Sequence, residues 1–142
     1  MELALEEAKQ AAERGEVPVG AVIVKDGKVI SFAGNRTIEL GDVTAHAEIL
    51  AIRAACVLVK SERLSECDLY VTLEPCPMCA GAISQSRIRR LYYGASDKKS
   101  GGVAHGSRVF EHSQCHHVPE VYDGISAAES EVLLKDFFAT KR

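Results

Sequence analysis

The chain has 142 residues, 46% of them hydrophobic and 26% charged, with a formal net charge of −3. That length suits one domain able to bury a core without disulfide staples, and with that ordinary globular balance disorder is not the default reading. No apolar run is long enough to cross a bilayer, and the acidic, amphipathic residues 1–7 lack the basic start and unbroken apolar stretch of a secretory leader, so the expectation is a cytoplasmic protein with no membrane partner.

Residues 1–14 read as a helix, with Met1, Leu5, Ala8 and Ala12 on one face and Gly15 as its stop. Residues 19–24 and 29–32 read as strands joined at Asp26-Gly27, a hairpin signal. A loop follows around Gly34-Asn35-Arg36. A helix capped by Asp42 or Thr44 is expected to run to about residue 60, with Ile49, Ile52, Cys56 and Val59 as its apolar stripe. Residues 68–73 read as a strand. Pro75 and Pro77 then open a short helix through about residue 84, since proline is tolerated in a first turn. Residues 88–93 read as a strand, and 94–120 mainly as loop, on Gly101-Gly102 and Gly106, with a short strand near 116–121. Ser126-Ala127-Ala128-Glu129 reads as a capping box opening a last helix to about residue 140, whose Leu133/Phe137 and Leu134/Phe138 pairs should pack. Without repeats or a linker, the alternation of strands and helices predicts an α/β fold: one three-layer α/β/α domain over residues 1–142.

Charge is unevenly spread. Residues 1–16 carry five acidic and two basic side chains, whereas 87–108 carry Arg87, Arg89, Arg90, Lys98, Lys99 and Arg108 against Asp97 alone. The second stretch suits a phosphate backbone and a solvated basic face equally well. The five cysteines, an odd number with one close pair, make a poor disulfide framework and point to metal or redox chemistry.

Two short motifs carry the chemistry: His46-Ala47-Glu48 and Pro75-Cys76-Pro77-Met78-Cys79. Cys76 and Cys79 share a face in a first helical turn, where the helix N-terminus favours thiolates. His46 supplies a third ligand from another helix start, and three protein ligands leave a fourth tetrahedral position open for catalysis. Glu48 lies about 200° around a helix from His46. Both can approach one site only if that site lies over the helix end, with Glu48 as a proton carrier and not a ligand. Cys76 and Cys79 could instead join His112 and His116 in a structural site, but the separation exceeds that of a zinc finger, and Glu48 would be idle. Cys115, His116 and His117 form a second cluster without regular spacing, suited to surface or supporting roles. Cys56 is expected in the core, and Cys67, His105 and His112 receive no role.

His-x-Glu followed by Pro-Cys-x-x-Cys is the pattern of the zinc-dependent nucleobase deaminases. Along nearly its whole length the chain resembles one branch of them, the bacterial tRNA-specific adenosine deaminases (the TadA family of the cytidine/deoxycytidylate deaminase superfamily). The matching stretches are Val17-Pro18-Val19-Gly20-Ala21-Val22, Gly34-Asn35-Arg36, His46-Ala47-Glu48-Ile49, Thr72-Leu73-Glu74-Pro75-Cys76-Pro77-Met78-Cys79-Ala80-Gly81-Ala82, Tyr93-Gly94-Ala95 with Asp97 and Lys99, and the end Phe137-Phe138 with Lys141-Arg142.

The resemblance implies a cytidine-deaminase-like fold with a five-stranded mixed sheet flanked by helices. It implies a homodimer, one Zn2+ per subunit held by His46, Cys76 and Cys79, and Glu48 as the catalytic proton carrier. The implied reaction is hydrolytic deamination of the wobble adenosine in a tRNA anticodon loop to inosine, with a zinc-bound hydroxide as nucleophile and ammonia released. Asn35 and the Ala47 backbone match residues that contact the target base, Asp97 and Lys99 a loop near the anticodon nucleotides, and Phe137, Phe138, Lys141 and Arg142 a C-terminal helix that contacts RNA. For at least one of Phe137 and Phe138, core packing is an equal expectation. The metal motifs also occur in guanine and cytosine deaminases, so a free-base deaminase is the competing reading; a non-catalytic, zinc-stabilised RNA-binding module is the third.

Overall fold

The structure, a computed structural model, describes residues 1–141; Arg142 lies outside the described residues. Helix α1 (Glu2–Glu13) leads into β1 (Gly20–Lys25), β2 (Lys28–Gly34), the single-turn α2 (Thr37–Leu40), α3 (Ala47–Val59), β3 (Cys67–Leu73), α4 (Pro77–Gln85), β4 (Arg90–Ala95), a 3-10 turn at Val109–Glu111, β5 (Glu120–Tyr122) and α5 (Ala127–Ala139). The five strands form one mixed sheet in the order β2-β1-β3-β4-β5. The two pairings of β1 are antiparallel, and β3-β4 and β4-β5 are parallel. Helices α1 and α5 meet over one face of the sheet, and α3 and α4 over the other, giving the expected three layers.

Local chemistry accounts for the joints. Asp26 and Gly27 both take positive φ (52° and 74°), the type I′ geometry that matches the twist of the flanking strands. Pro77 opens α4 at a position whose N–H would have no helical partner. Side-chain alternation then divides the sheet. Ala21, Ile23, Leu69, Val71, Leu91 and Tyr93 face α3 and α4 and form the main core with Ala51, Ile52, Ala55, Ile83 and Ile88. On the opposite face Gly20 lies so close to α1 that a Cβ there would collide with the Ala4 carbonyl, and Gly94 lies 2.7 Å, by the same measure, from Ser130 Oγ of α5. Tyr70, Tyr92 and Tyr122 sit in register on neighbouring strands and stack, with ring centroids 4.4 and 4.9 Å apart.

Several elements differ from expectation. The buried face of α1 is Ala4, Glu7, Ala8 and Ala11, with Leu5 and Ala12 at its margin. In α3 the buried residues are Ala47, Glu48, Ala51, Ile52 and Ala55, while Ile49, Cys56 and Val59 flank them. Small side chains let both helices approach the sheet, and larger apolar ones fill the edges. Helix α3 begins at Ala47, later than expected, because Asp42 accepts hydrogen bonds from the Thr44 N–H (2.8 Å) and hydroxyl (2.6 Å) in a turn ahead of it. The capping box does not form. Ser126 is in the left-handed region (φ 56°), and a side-chain cap requires extended backbone there.

Candidate active site

His46 and Cys76 are the N-cap residues of α3 and α4, both with extended backbone, and Cys79 lies in the first turn of α4. The two helix starts face each other. His46 Nδ1 is 3.6 Å from Cys76 Sγ and 3.4 Å from Cys79 Sγ, and the three atoms all lie within 4.8 Å of one another. Among the described residues this is the only group of three or more His, Cys, Asp or Glu side chains disposed to hold a metal. One imidazole and two thiols are a donor set for a borderline-soft transition metal.

The charges are arranged around that point. A hydrogen bond from the Cys79 thiol, with further help from His46, pulls the Cys76 thiol down to about 4. The same hydrogen bond, with burial, pushes Cys79 far up. The hydrogen bond to Cys76 raises His46 above its ordinary value. Glu48, in the first turn of α3, is only 4% exposed, and burial pushes its carboxyl up to about 6.

These groups open onto a cleft of ≈ 220 Å³ whose lining includes Asn35, Thr37, His46, Glu48, Cys76 and Asp97. Asn35 is held by its backbone: its N–H donates to the Val19 carbonyl (3.1 Å), and its carbonyl accepts from Arg14 (3.2 Å). Its amide side chain thus belongs to the cleft wall. Next to it, buried Glu16 accepts the Ile38 and Glu39 N–H groups at the start of α2 (3.1 and 2.8 Å). On the opposite wall Asp97 accepts from the Lys99 and Ser100 N–H groups, forming a tight turn. Glu74, immediately before Pro75-Cys76, is buried and accepts backbone N–H groups from Asp97, Val103, Ala104 and His105. Burial pushes its carboxyl up, but the hydrogen bonds outweigh it and hold the group below its ordinary value. Neither Glu16 nor Glu74 carries a role in the sequence pattern, because their backbone partners lie more than twenty residues away.

The MafB19-like deaminase family matches residues 1–142, the entire chain. A tRNA-specific adenosine deaminase from Agrobacterium fabrum is 61% identical over 142 residues, covering 100% of this chain and 93% of the relative. The chain belongs to the tRNA-specific adenosine deaminases. A solved structure from a study of A-to-I editing by tRNA:A34 deaminases at the wobble position of transfer RNA superposes with a TM-score of 0.93 at 62% identity, over 94% of this chain and 97% of that one. A guanine deaminase from Nitrosomonas europaea has a TM-score of 0.84 at 23% identity, over 97% and 82% of the chains, a likeness of fold alone.

Other sequence-predicted residues of this family member lie outside the cleft. Lys99 is exposed beyond the Asp97 turn. Ala47 is buried between His46 and Glu48, leaving its first-turn N–H at the helix end. Phe137 and Phe138 lie in the last turn of α5, half-buried and 51% exposed, with rings edge to face at 5.3 Å. The ammonium of Lys141 sits 5.2 Å from the Phe137 ring centre. Core packing therefore does not describe Phe138. Half of the basic stretch is paired with carboxylates: Arg89 makes a bidentate pair with Asp68, Arg90 forms ion pairs with Asp68 and Glu120, and Arg108 pairs with Glu111. Cys115, His116 and His117 gather no metal site; Cys115 contacts Ser84, His117 bonds the Ile88 carbonyl, and the His116 carbonyl accepts from Arg87, pinning this segment to the end of α4. Cys67 is core, Cys56 is half-buried, and His105 bonds Glu74 at 2.8 Å.

Proposed function

We propose that this protein hydrolyses the wobble adenosine of a tRNA anticodon to inosine, and that its 142 residues act as one deaminase domain. The observation that carries the reading is the buried carboxyl of Glu48 beside a His-Cys-Cys donor set at the floor of a cleft walled by Asn35. Relatives named for this reaction align with the whole chain. Such a reaction exchanges the C6 amino group for oxygen, consumes one water and releases ammonia.

His46, Cys76 and Cys79 are assigned as the metal ligands, with one Zn2+ per subunit. The donor set supports zinc: one imidazole and two thiols whose ligand atoms lie within 4.8 Å of one another would hold it and leave a fourth position open. Bound there, zinc supplies Lewis acidity that lets water ionise near neutral pH, at roughly 7. Glu48 would take one proton from the attacking water and deliver it to ring N1, then take the second from the resulting C6 hydroxyl and deliver it to the departing amine, so that C6 keeps the oxygen as a carbonyl and ammonia leaves. Its raised affinity for a proton suits both halves of the transfer. Asn35 and the Ala47 N–H are assigned to the base edge, and Asp97 and Lys99 to neighbouring nucleotides. Phe137, Phe138, Lys141 and Arg142 are assigned to RNA outside the cleft. A tRNA loop presents its adenine unpaired, so splaying it into the cleft costs less than extraction from a duplex.

The protein is further proposed to act as a homodimer in the cytoplasm. Val57 and Leu58, 79% and 60% exposed on the outer face of α3, supply apolar surface for a second copy. No described helix is long and apolar enough to cross a membrane.

The test is an ammonia-release and inosine assay on the zinc-loaded protein, offering an anticodon stem-loop with adenosine at the wobble position beside free adenosine, guanine and cytosine. Inosine in the stem-loop is expected. Turnover of a free base alone would transfer the protein to the small-molecule branch, and no turnover at all would favour a binding module.

A further inference from the structure

The carboxylate of Glu74 is fully buried and collects five donors from one loop. Oε2 accepts three successive backbone N–H groups, from Val103 (3.2 Å), Ala104 (3.0 Å) and His105 (3.1 Å). Oε1 accepts the Asp97 N–H (3.0 Å) and, in the tautomer protonated there, His105 Nδ1 (2.8 Å). The loop is moulded to this anion: a side chain at Gly101 would collide with Glu74 Oε2 and the Asp97 carbonyl, and one at Gly102 would meet Pro77 N at 2.6 Å. The Gly102 N–H also donates to the Pro75 carbonyl at 2.8 Å, joining the loop to the turn that presents Cys76. Asp97 and Ser100, inside the same loop, line the cleft.

We infer that Glu74 is a positioning residue that fixes the 97–105 loop as the substrate-binding wall of the cleft. The inference rests on the tRNA reading above for its substrate, but its geometry stands without it. The loop has no strand or α-helix of its own over this span, and beside the Gly102 bond to Pro75 it is Glu74 that ties it to the β3–α4 connection, through five hydrogen bonds. If that acceptor is weakened, the loop samples other positions, and the fraction competent to bind falls; apparent affinity falls by the same fraction. The zinc-proposed donors and Glu48 hang from α3 and α4 and are not among the groups Glu74 binds.

Glu74→Gln tests this. One amide oxygen cannot replace two carboxylate oxygens: if it serves residues 103–105, the amide NH2 is turned towards the Asp97 N–H, donor against donor. The expected result is a KM for the anticodon stem-loop raised about tenfold, the scale of one lost charge-assisted hydrogen bond, with kcat within about threefold and zinc content unchanged. Amide exchange at Asp97 and residues 103–105 should quicken about tenfold or more, a readout independent of activity. His105→Asn, which leaves the carboxylate and its four backbone donors intact, should show the same pattern more weakly and serves if Glu74→Gln fails to fold. Unchanged exchange in these residues overturns the inference whatever the substrate. So does unchanged KM, or loss of zinc with collapse of kcat, which would make Glu74 a scaffold of the metal site. Absence of inosine with the unmodified protein would instead count against the tRNA reading alone, since the exchange measurement still decides the role of Glu74.

Discussion

His46 and Glu48 are two residues apart on the chain, and both line one cleft. That is possible because His46 is not in the helix: it caps α3 with extended backbone (φ −70°, ψ 151°), while Glu48 belongs to the first turn and is buried. In mid-helix the two side chains would diverge by about 200°. The same arrangement at Cys76 and Cys79 brings a second helix start to the site, so the polypeptide supplies donors from two positive helix ends.

If the three donors hold the metal together, no two suffice. Cys76→Ala is expected to purify with less than about a tenth of the zinc of the unmodified protein, by elemental analysis, and to be inactive. Second-neighbour changes cost 10–100-fold in metal affinity, and loss of a ligand costs at least as much. Full zinc occupancy in this variant would remove Cys76 from the ligand set.

Glu48→Gln separates catalysis from stability. Zinc should be retained and kcat should fall about 10²–10⁴-fold, the range for loss of a general acid-base group. In the metal-free protein the same change should stabilise. The carboxyl ionises near its ordinary 4.5 when unfolded but only at about 6 when folded, because it is buried. Between those values the folded state holds the extra proton, so stability is greatest below 4.5 and is lost as pH rises through about 6. Gln has nothing to ionise. At pH 7 the metal-free variant should therefore be more stable by about 2 kcal/mol, a gap that closes below pH 4.5. A gap that does not change with pH in chemical denaturation would refute this account of Glu48.

Gly20 sets how closely α1 can lie on the sheet. Adding one methyl there drives it into the Ala4 carbonyl, with Ala8 N 2.7 Å away, and neither belongs to a flexible side chain. Gly20→Ala should lower stability by about 3 kcal/mol, at the upper end for overpacking. A midpoint shift of less than about 1 kcal/mol in urea would mean that α1 can slide outward.

The order and type of most elements were legible because hairpin chemistry at Asp26-Gly27, prolines at 75 and 77 and short β-branched runs act locally. Both metal motifs were legible for the same reason. What failed was non-local. The alanine faces of α1 and α3 are chosen by how near the sheet lies, which large-residue periodicity does not report. The pairing of Arg89 and Arg90 with Asp68 depends on strands brought together by folding, so the basic run looked freer than it is. Glu16 and Glu74 act through backbone N–H groups more than twenty residues away, which no motif spacing can reveal.

Phe138 offers the sharpest separation of RNA contact from packing. It is 51% exposed on the last turn of α5, where only Ser130 among the helix residues is buried. Its ring packs edge to face against Phe137. Phe138→Ala should therefore cost less than the roughly 3–5 kcal/mol of a fully buried phenylalanine. If the ring stacks on a base, the same change should raise KM for the anticodon stem-loop about 5–100-fold, since base-aromatic stacking contributes about 1–3 kcal/mol. Free adenosine, too small to reach both the cleft and α5, should be handled no differently by the variant. A large fall in melting temperature with KM unchanged would return Phe138 to a packing role and leave the RNA contact of α5 without its main support.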